Sequence, residues 1–177
     1  MRCTSCSAPC TKFEYTTSKR DLLETFRTEK CHSGISSKNS SWANISGLFE
    51  ITSPPIGTFS PTQNGVEISC RHPSGGFAKR EIELGGGGVI ITDLLELDSP
   101  IVRYILDREG QVEVLSDSLV IKLEDWQMIH SPIPKDFTAE FFSSRNSRLS
   151  LGYGNFSDSF CLEFEHAEGT ECCTRIL

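Results

Sequence analysis

The chain of 177 residues sets 17 Lys and Arg against 24 Asp and Glu, a formal net charge of −7 at pH 7. With no basic run beyond Ala78-Lys79-Arg80, this excludes a surface built to track nucleic-acid phosphates, whose affinity rests on clustered cations releasing counterions. The longest apolar-leaning run, GVIITDLLEL, is broken by Asp93 and Glu96 and is shorter than the ~20 residues of a membrane-spanning helix.

A chain of this length is expected to form one domain, or one domain with a small appendage. It buries enough surface on folding that disulfides are not obligatory. The opening MRCTSCSAPC has no hydrophobic stretch of the signal-peptide kind, which favours a cytosolic chain or an excised part of a longer one.

Residues 1–31 hold Cys3, Cys6, Cys10 and Cys31, half of the eight cysteines. Within them SKRDLLETFRTEK places Leu22, Leu23 and Phe26 on one side of a short expected helix. Residues 32–65 are rich in Ser, Pro, Gly and Asn and read as loops and turns. From residue 66 the pattern alternates with the period of a strand. Val66, Ile68 and Cys70 share one face, as do Ile82 and Leu84. The tetrad GGGG at 85–88 reads as a wide turn or bulge. Expected strands follow in VIITDLLEL, IVRYILD, VEVL, SLVIKLE, FTAEFF, RLSLGY and FCLEFEH. Short alternating strands separated by turn signals predict a mainly β chain, an antiparallel β-sandwich or barrel. The expected division is a cysteine-rich, loop-rich segment over 1–64 and a β-rich binding domain over 65–177.

Cys172 and Cys173 are adjacent. Consecutive Cα atoms sit about 3.8 Å apart, whereas an unstrained disulfide wants about 4.4–6.8 Å. In an oxidising compartment each therefore takes its own partner, and the expected framework uses Cys3, Cys6, Cys10, Cys31, Cys70, Cys161, Cys172 and Cys173, with the pairing open. Cys70 falls on the apolar face of its strand. Cys161 shares a face with Glu163 and Glu165, so its partner is expected from something lying over the sheet, the C-terminal tail or the N-terminal segment. The competing reading is zinc held by Cys3 and Cys6 with Cys31 and His32, or Cys10, in a reducing compartment. Sequons at Asn39, Asn44 and Asn155 lean toward an exported glycoprotein.

The glycine tetrad lacks the Lys-Ser/Thr ending of a phosphate loop. His32, His72, His130 and His166 are scattered outside any catalytic pattern, and His166, beside Glu165 and Glu168, reads as a surface residue. No enzyme is expected. Trp126, Tyr104 and Tyr153 could form a sugar-stacking platform, although aromatics at alternating positions are more often core. Lys79, Arg80, Arg103, Arg108, Arg145 and Arg148 could meet the carboxylates of an acidic polymer, with Lys79, Arg80, Arg145 and Arg148 taken as the expected ligand-binding set.

Three blocks over residues 65–177 resemble the extracellular galacturonan-binding module of plant wall-associated receptor kinases. GVEISC followed by REIELGGGGVIITDLLEL is similar to that family's strand ending in Cys, its turn and its apolar strand. FTAEFFSSRNSRLSLGYG resembles the block of Phe, small polar residues, Arg-Asn and an apolar run ending in Gly. GTECCTRIL is similar to the Gly-x-x-Cys-Cys close. Gly152 is followed by Tyr153 where the family has Cys, and the Tyr-Pro-Phe-Gly signature is missing from residues 1–64. The resemblance implies a non-catalytic, disulfide-stapled receptor ectodomain on the cell-wall side of the plasma membrane. Its implied partner is pectin or oligogalacturonide, with calcium able to bridge the polyanion; a protein ligand is the other partner considered. The alternative is an intracellular, viral-type zinc-binding regulatory protein built on the Cys3-x-x-Cys6 pair.

Overall fold

The computed structural model describes residues 29–42, 44–45, 51–52, 56–73, 75–143, 149–152 and 155–177. Among the described residues, a 3₁₀ turn at Glu29–Cys31 leads into the strands β1 (Gly34–Ser37), β2 (Asn44–Ile45), β3 (Ile51–Thr52) and β4 (Ile56–Pro61). Four longer strands follow: β5 (Gly65–Arg71), β6 (Phe77–Gly85), β7 (Gly88–Glu96) and β8 (Pro100–Leu106). Next come β9 (Gln111–Val114), β10 (Leu119–Lys122), β11 (Gln127–Ser131) and β12 (Asp136–Phe142). The last four are β13 (Leu149–Gly152), β14 (Asn155–Ser157), β15 (Ser159–Glu165) and β16 (Thr170–Ile176). The helix expected over SKRDLLETFRTEK lies almost wholly outside the described residues.

An eight-stranded sheet runs in the order β4-β5-β6-β7-β16-β11-β10-β9, and a four-stranded sheet in the order β1-β8-β15-β12. Every pairing is antiparallel. Two ribbons, β2-β3 and β13-β14, complete the described strands. The main core draws Ile91, Leu95, Leu119, Ile121, Met128 and Ile176 from the large sheet and Val102, Leu106, Phe160, Leu162 and Phe164 from the small one. Two antiparallel sheets closing on one shared core make a β-sandwich. Val102, Leu162 and Phe164 are each 0% exposed; burying a side chain of this kind contributes roughly 1.5–3 kcal/mol.

The strand patterns read from the sequence correspond to β5 to β10, β12, β13 and β15. The turn at GGGG is tighter than expected. Gly86 and Gly87 have φ of 60° and 85°, and Gly85 pairs with Gly88, so a two-residue hairpin joins β6 to β7, with both central residues in the left-handed region that glycine tolerates. No described helix is long and apolar enough to cross a membrane.

Three corrections concern segments read as loop or tail. β1 pairs with β8 and β4 with β5, so part of the expected 32–65 loop region is strand, and the boundary expected at residue 64 falls between two strands that pair with each other. The C-terminal segment is no appendage: β16 lies between β7 and β11 inside the large sheet. A different element covers the face of β15 that carries Cys161. Leu149 of β13 and Ile105 pack with Cys161 in a second small core, with Phe142 against it.

Candidate functional site

Strand register assembles a polar cluster between the sheets. Arg80 of β6, Asp93 of β7 and Cys172 of β16 are successive cross-strand partners, and so share the inward face. One step along, Thr174 of β16 pairs with His130 of β11. The small sheet adds Tyr104 from β8 and His166, which follows β15 and whose backbone N–H donates to the carbonyl of Pro100 at 3.0 Å. Asp93, Tyr104, His130, His166, Cys172 and Thr174 are all buried.

Buried polar groups persist only with partners, and here they have them. Arg80 donates from Nε and Nη2 to the two carboxylate oxygens of Asp93, at 2.7 Å each. Its guanidinium carbon also lies 5.8 Å from the centre of the Tyr104 ring. Tyr104 donates its hydroxyl to Thr174 Oγ1 at 2.9 Å. His130 Nδ1 meets the same oxygen at 2.7 Å, and its Nε2 lies 2.8 Å from Nε2 of His166. The His130 ring stacks on Phe164 with centroids 4.3 Å apart.

Burial also fixes the charge states. It works against the Arg80 charge, but the Asp93 carboxylate outweighs it, and the guanidinium stays charged. Burial, reinforced by the Asp93 charge, pushes the Cys172 thiol well up, and burial raises the Tyr104 phenol. Burial first, then the neighbouring His166 and Arg80, lower His130 from 6.5 to about 3. Burial lowers His166 as well, partly opposed by Asp93. Both imidazoles are therefore neutral at pH 7 and present nitrogen lone pairs. His130, His166 and Cys172 hold one donor atom each, all within 4.8 Å of one another.

A cavity of about 190 Å³ opens where β8 ends, lined among others by Tyr104, Asp107, Arg108, Asp125, Trp126 and Met128. The turn between β10 and β11 supplies Trp126, whose carbonyl accepts from the Leu123 N–H at 2.9 Å. The indole is half-buried against the main core. Arg108 lies 3.5 Å from an Asp107 oxygen and 3.8 Å from one of Glu124. Beside the start of β8 a second cavity, about 210 Å³, is lined by His72, Glu96, Asp98 and Glu168 with serine hydroxyls.

Of the expected ligand-binding set, Lys79 and Arg80 lie among the described residues. Lys79 is on the outward face, 2.7 Å from Glu67, while the adjacent Arg80 faces inward and is committed to Asp93, which removes it from any surface site. Arg145 and Arg148 lie outside the described residues. Glu163 and Glu165 are ion-paired with Arg103 at 2.6 Å and Lys38 at 2.7 Å. His166 is not the expected surface residue, being only 3% exposed. Tyr104 and Trp126 do line one cavity; Tyr153 is not among the described residues.

Of the eight cysteines in the expected disulfide framework, five lie among the described residues. Cys70, Cys172 and Cys173 are thiols. Alternation along β16 turns Cys172 into the core and Cys173 outward, and Cys161 lies beneath β13 on the far side of the small sheet. Cys3, Cys6 and Cys10 lie outside the described residues, and with them the expected zinc set of Cys3, Cys6, Cys31 and His32 as a whole. Of the sequons, Asn39 is exposed and donates to Asp98 at 2.9 Å and Ser99 at 3.3 Å. Asn44 and Asn155 lie in β2 and β14, where side chains are not described.

No family model matches the chain, and no curated protein matches it. Among solved structures it is similar to the heparan sulfate lyase HepC from Pedobacter heparinus, with a TM-score of 0.52 and 12% sequence identity over 93% of this chain. The match spans 26% of the lyase chain. At that identity the likeness is one of fold, a β-sandwich shared with a segment of a larger protein.

Proposed function

We propose that this chain is a non-catalytic β-sandwich module that binds carbohydrate at the cavity beside Trp126. One observation carries the proposal: a half-buried indole, two carboxylates and a guanidinium surround a single opening of about 190 Å³. An aromatic face stacks on the C–H face of a sugar ring, carboxylates accept from its hydroxyls, and an arginine donates to its oxygens. The volume is below the ~300–1,000 Å³ of pockets for drug-sized ligands, a size suited to one sugar residue. The heparan sulfate lyase of related fold lends context but no residue.

Asp107 and Asp125 line the cavity against the single cation Arg108, which also has Glu124 3.8 Å away. A polyanion such as the oligogalacturonide that the family resemblance implies therefore needs a bridging cation. Calcium takes oxygen ligands, which Asp107, Asp125 and the uronate can supply together. The extracellular, wall-facing location belongs to the same proposal.

The test is retention on immobilised polygalacturonate with and without calcium, beside a neutral galactan. Expected is calcium-dependent retention that Trp126→Ala weakens at least about tenfold, equivalent to ~1.4 kcal/mol, and that Asp125→Asn also reduces. Retention unchanged by Trp126→Ala, or failure to bind either polymer, overturns the proposal.

A further inference from the structure

We propose that His130, His166 and Cys172 form a zinc site inside the sandwich, separate from the carbohydrate cavity. Two imidazole nitrogens and a sulfur are the donor set that borderline-soft Zn²⁺ takes. The three donor atoms already lie within 4.8 Å of one another. Around one tetrahedral zinc they would stand about 3.3–3.6 Å apart, given Zn–N near 2.0 Å and Zn–S near 2.3 Å. His130 Nε2 and His166 Nε2, at 2.8 Å, need to part slightly, and Cys172 to close in.

The surroundings suit a ligated state. Metal-bound histidines commonly hand their second ring N–H to an acceptor that fixes the tautomer. His130 has one in Thr174 Oγ1, 2.7 Å from its Nδ1. With that proton on Nδ1, His130 Nε2 is a lone-pair donor, and His166 Nε2–H is what now bridges to it. Zinc replaces that bridging proton: His166 moves its proton to Nδ1, the Cys172 S–H bond breaks, a Zn–S bond forms, and one proton leaves to solvent. The resulting single positive charge sits beside Asp93, the cross-strand neighbour of Cys172. Water or an Asp93 oxygen completes the fourth position.

The experiment uses the full chain with Cys3→Ser and Cys6→Ser, which silences the amino-terminal Cys-x-x-Cys. Zinc is counted after purification, again after chelation, and again after refolding with one equivalent of Zn²⁺. Expected are one zinc per chain, one proton released on uptake, a raised Tm, and a thiolate-to-cobalt charge-transfer band when Co²⁺ replaces zinc. Cys172→Ser abolishes the band, whereas Cys173→Ser, on the opposite face of β16, leaves it intact. Thr174→Val, which keeps all three ligands, lowers zinc affinity about 10–100-fold, so the inference stays testable if Cys172→Ser fails to fold. No zinc taken up on refolding, or uptake and a cobalt band unchanged by Cys172→Ser, overturns it. A copper-only site, with no zinc bound, overturns the assignment of the metal.

Discussion

One row of cross-strand partners crosses the large sheet as Phe59, Ile68, Arg80, Asp93 and Cys172, and its two ends invert the usual order of burial. Phe59 is 70% exposed and Ile68 39%, while Asp93 and Cys172 are each 1% exposed. The difference is coverage. β8 and β15 lie over the row from Arg80 onward, whereas the flank of β4 and β5 extends past the small sheet. Under the cover, polar groups are tolerated because Arg80 answers Asp93 and Tyr104 answers Thr174. On the flank the inward face stays apolar, continued by Leu84 at 66% exposure. Whether a strand face is buried is thus a property of the opposite sheet, not of the residues it carries.

The sharpest way to break this contrast is Asp93→Ala. It leaves the Arg80 charge buried without its carboxylate, and a broken buried pair of this kind is expected to cost about 3–5 kcal/mol in urea unfolding. A loss below 1 kcal/mol would mean that water reaches Arg80 and the covered half is not closed.

Acid is expected to act next most strongly, measured on chelator-treated protein. His130 is lowered from 6.5 to about 3 in the fold, and His166 is lowered too. Below pH 6.5 the unfolded chain therefore binds protons that the folded chain refuses, and stability falls as pH drops toward 3. His130 contributes about 1.4 kcal/mol per pH unit in that window, and His166 acts in the same direction. His166 and Arg80 act on His130 in the same sense as burial, while Asp93 partly opposes the lowering of His166. Stability flat between pH 6.5 and 4.5 would contradict neutral, enclosed imidazoles.

Tyr104→Phe keeps the packing and removes the donor to Thr174, for an expected loss of about 0.5–1.5 kcal/mol. The smallest effect belongs to the flank. Phe59→Ser is expected to change stability by no more than about 0.5 kcal/mol, as for other exposed positions; a loss of several kcal/mol would show that the flank is covered in solution.

Much of the fold was legible because β5, β6, β12 and β15 alternate apolar and polar residues, which reports face parity directly, while β7 and β8 are short apolar runs bounded by turn signals. Alternation does not report coverage, so Ile68 and Leu162 read alike although one is 39% and the other 0% exposed. β16 escaped notice because its inward positions are Thr170, Cys172, Thr174 and Ile176, a row more polar than a core strand normally shows. β4 escaped because IGTFSP is exposed along its length and ends in proline. The paired histidines lie 36 residues apart, a proximity created when β15 folds over β11. Their one local signal was the shared parity of His130 with Met128 in QMIHS. For Trp126 and Tyr104 the sequence favours core over a sugar platform; both line one cavity, with Tyr104 3% exposed and the indole the more open face.

Backbone and indole NMR shifts, recorded while oligogalacturonide is titrated in the presence of calcium, test most directly where ligand meets this sandwich. The expected result is saturable shifts gathered at the Trp126 indole N–H, Asp107, Arg108 and Asp125, with Phe59 and Ile68 unmoved. Shifts confined to the β4–β5 flank, or none that saturate, would contradict the placement of the binding site at the covered end of the fold.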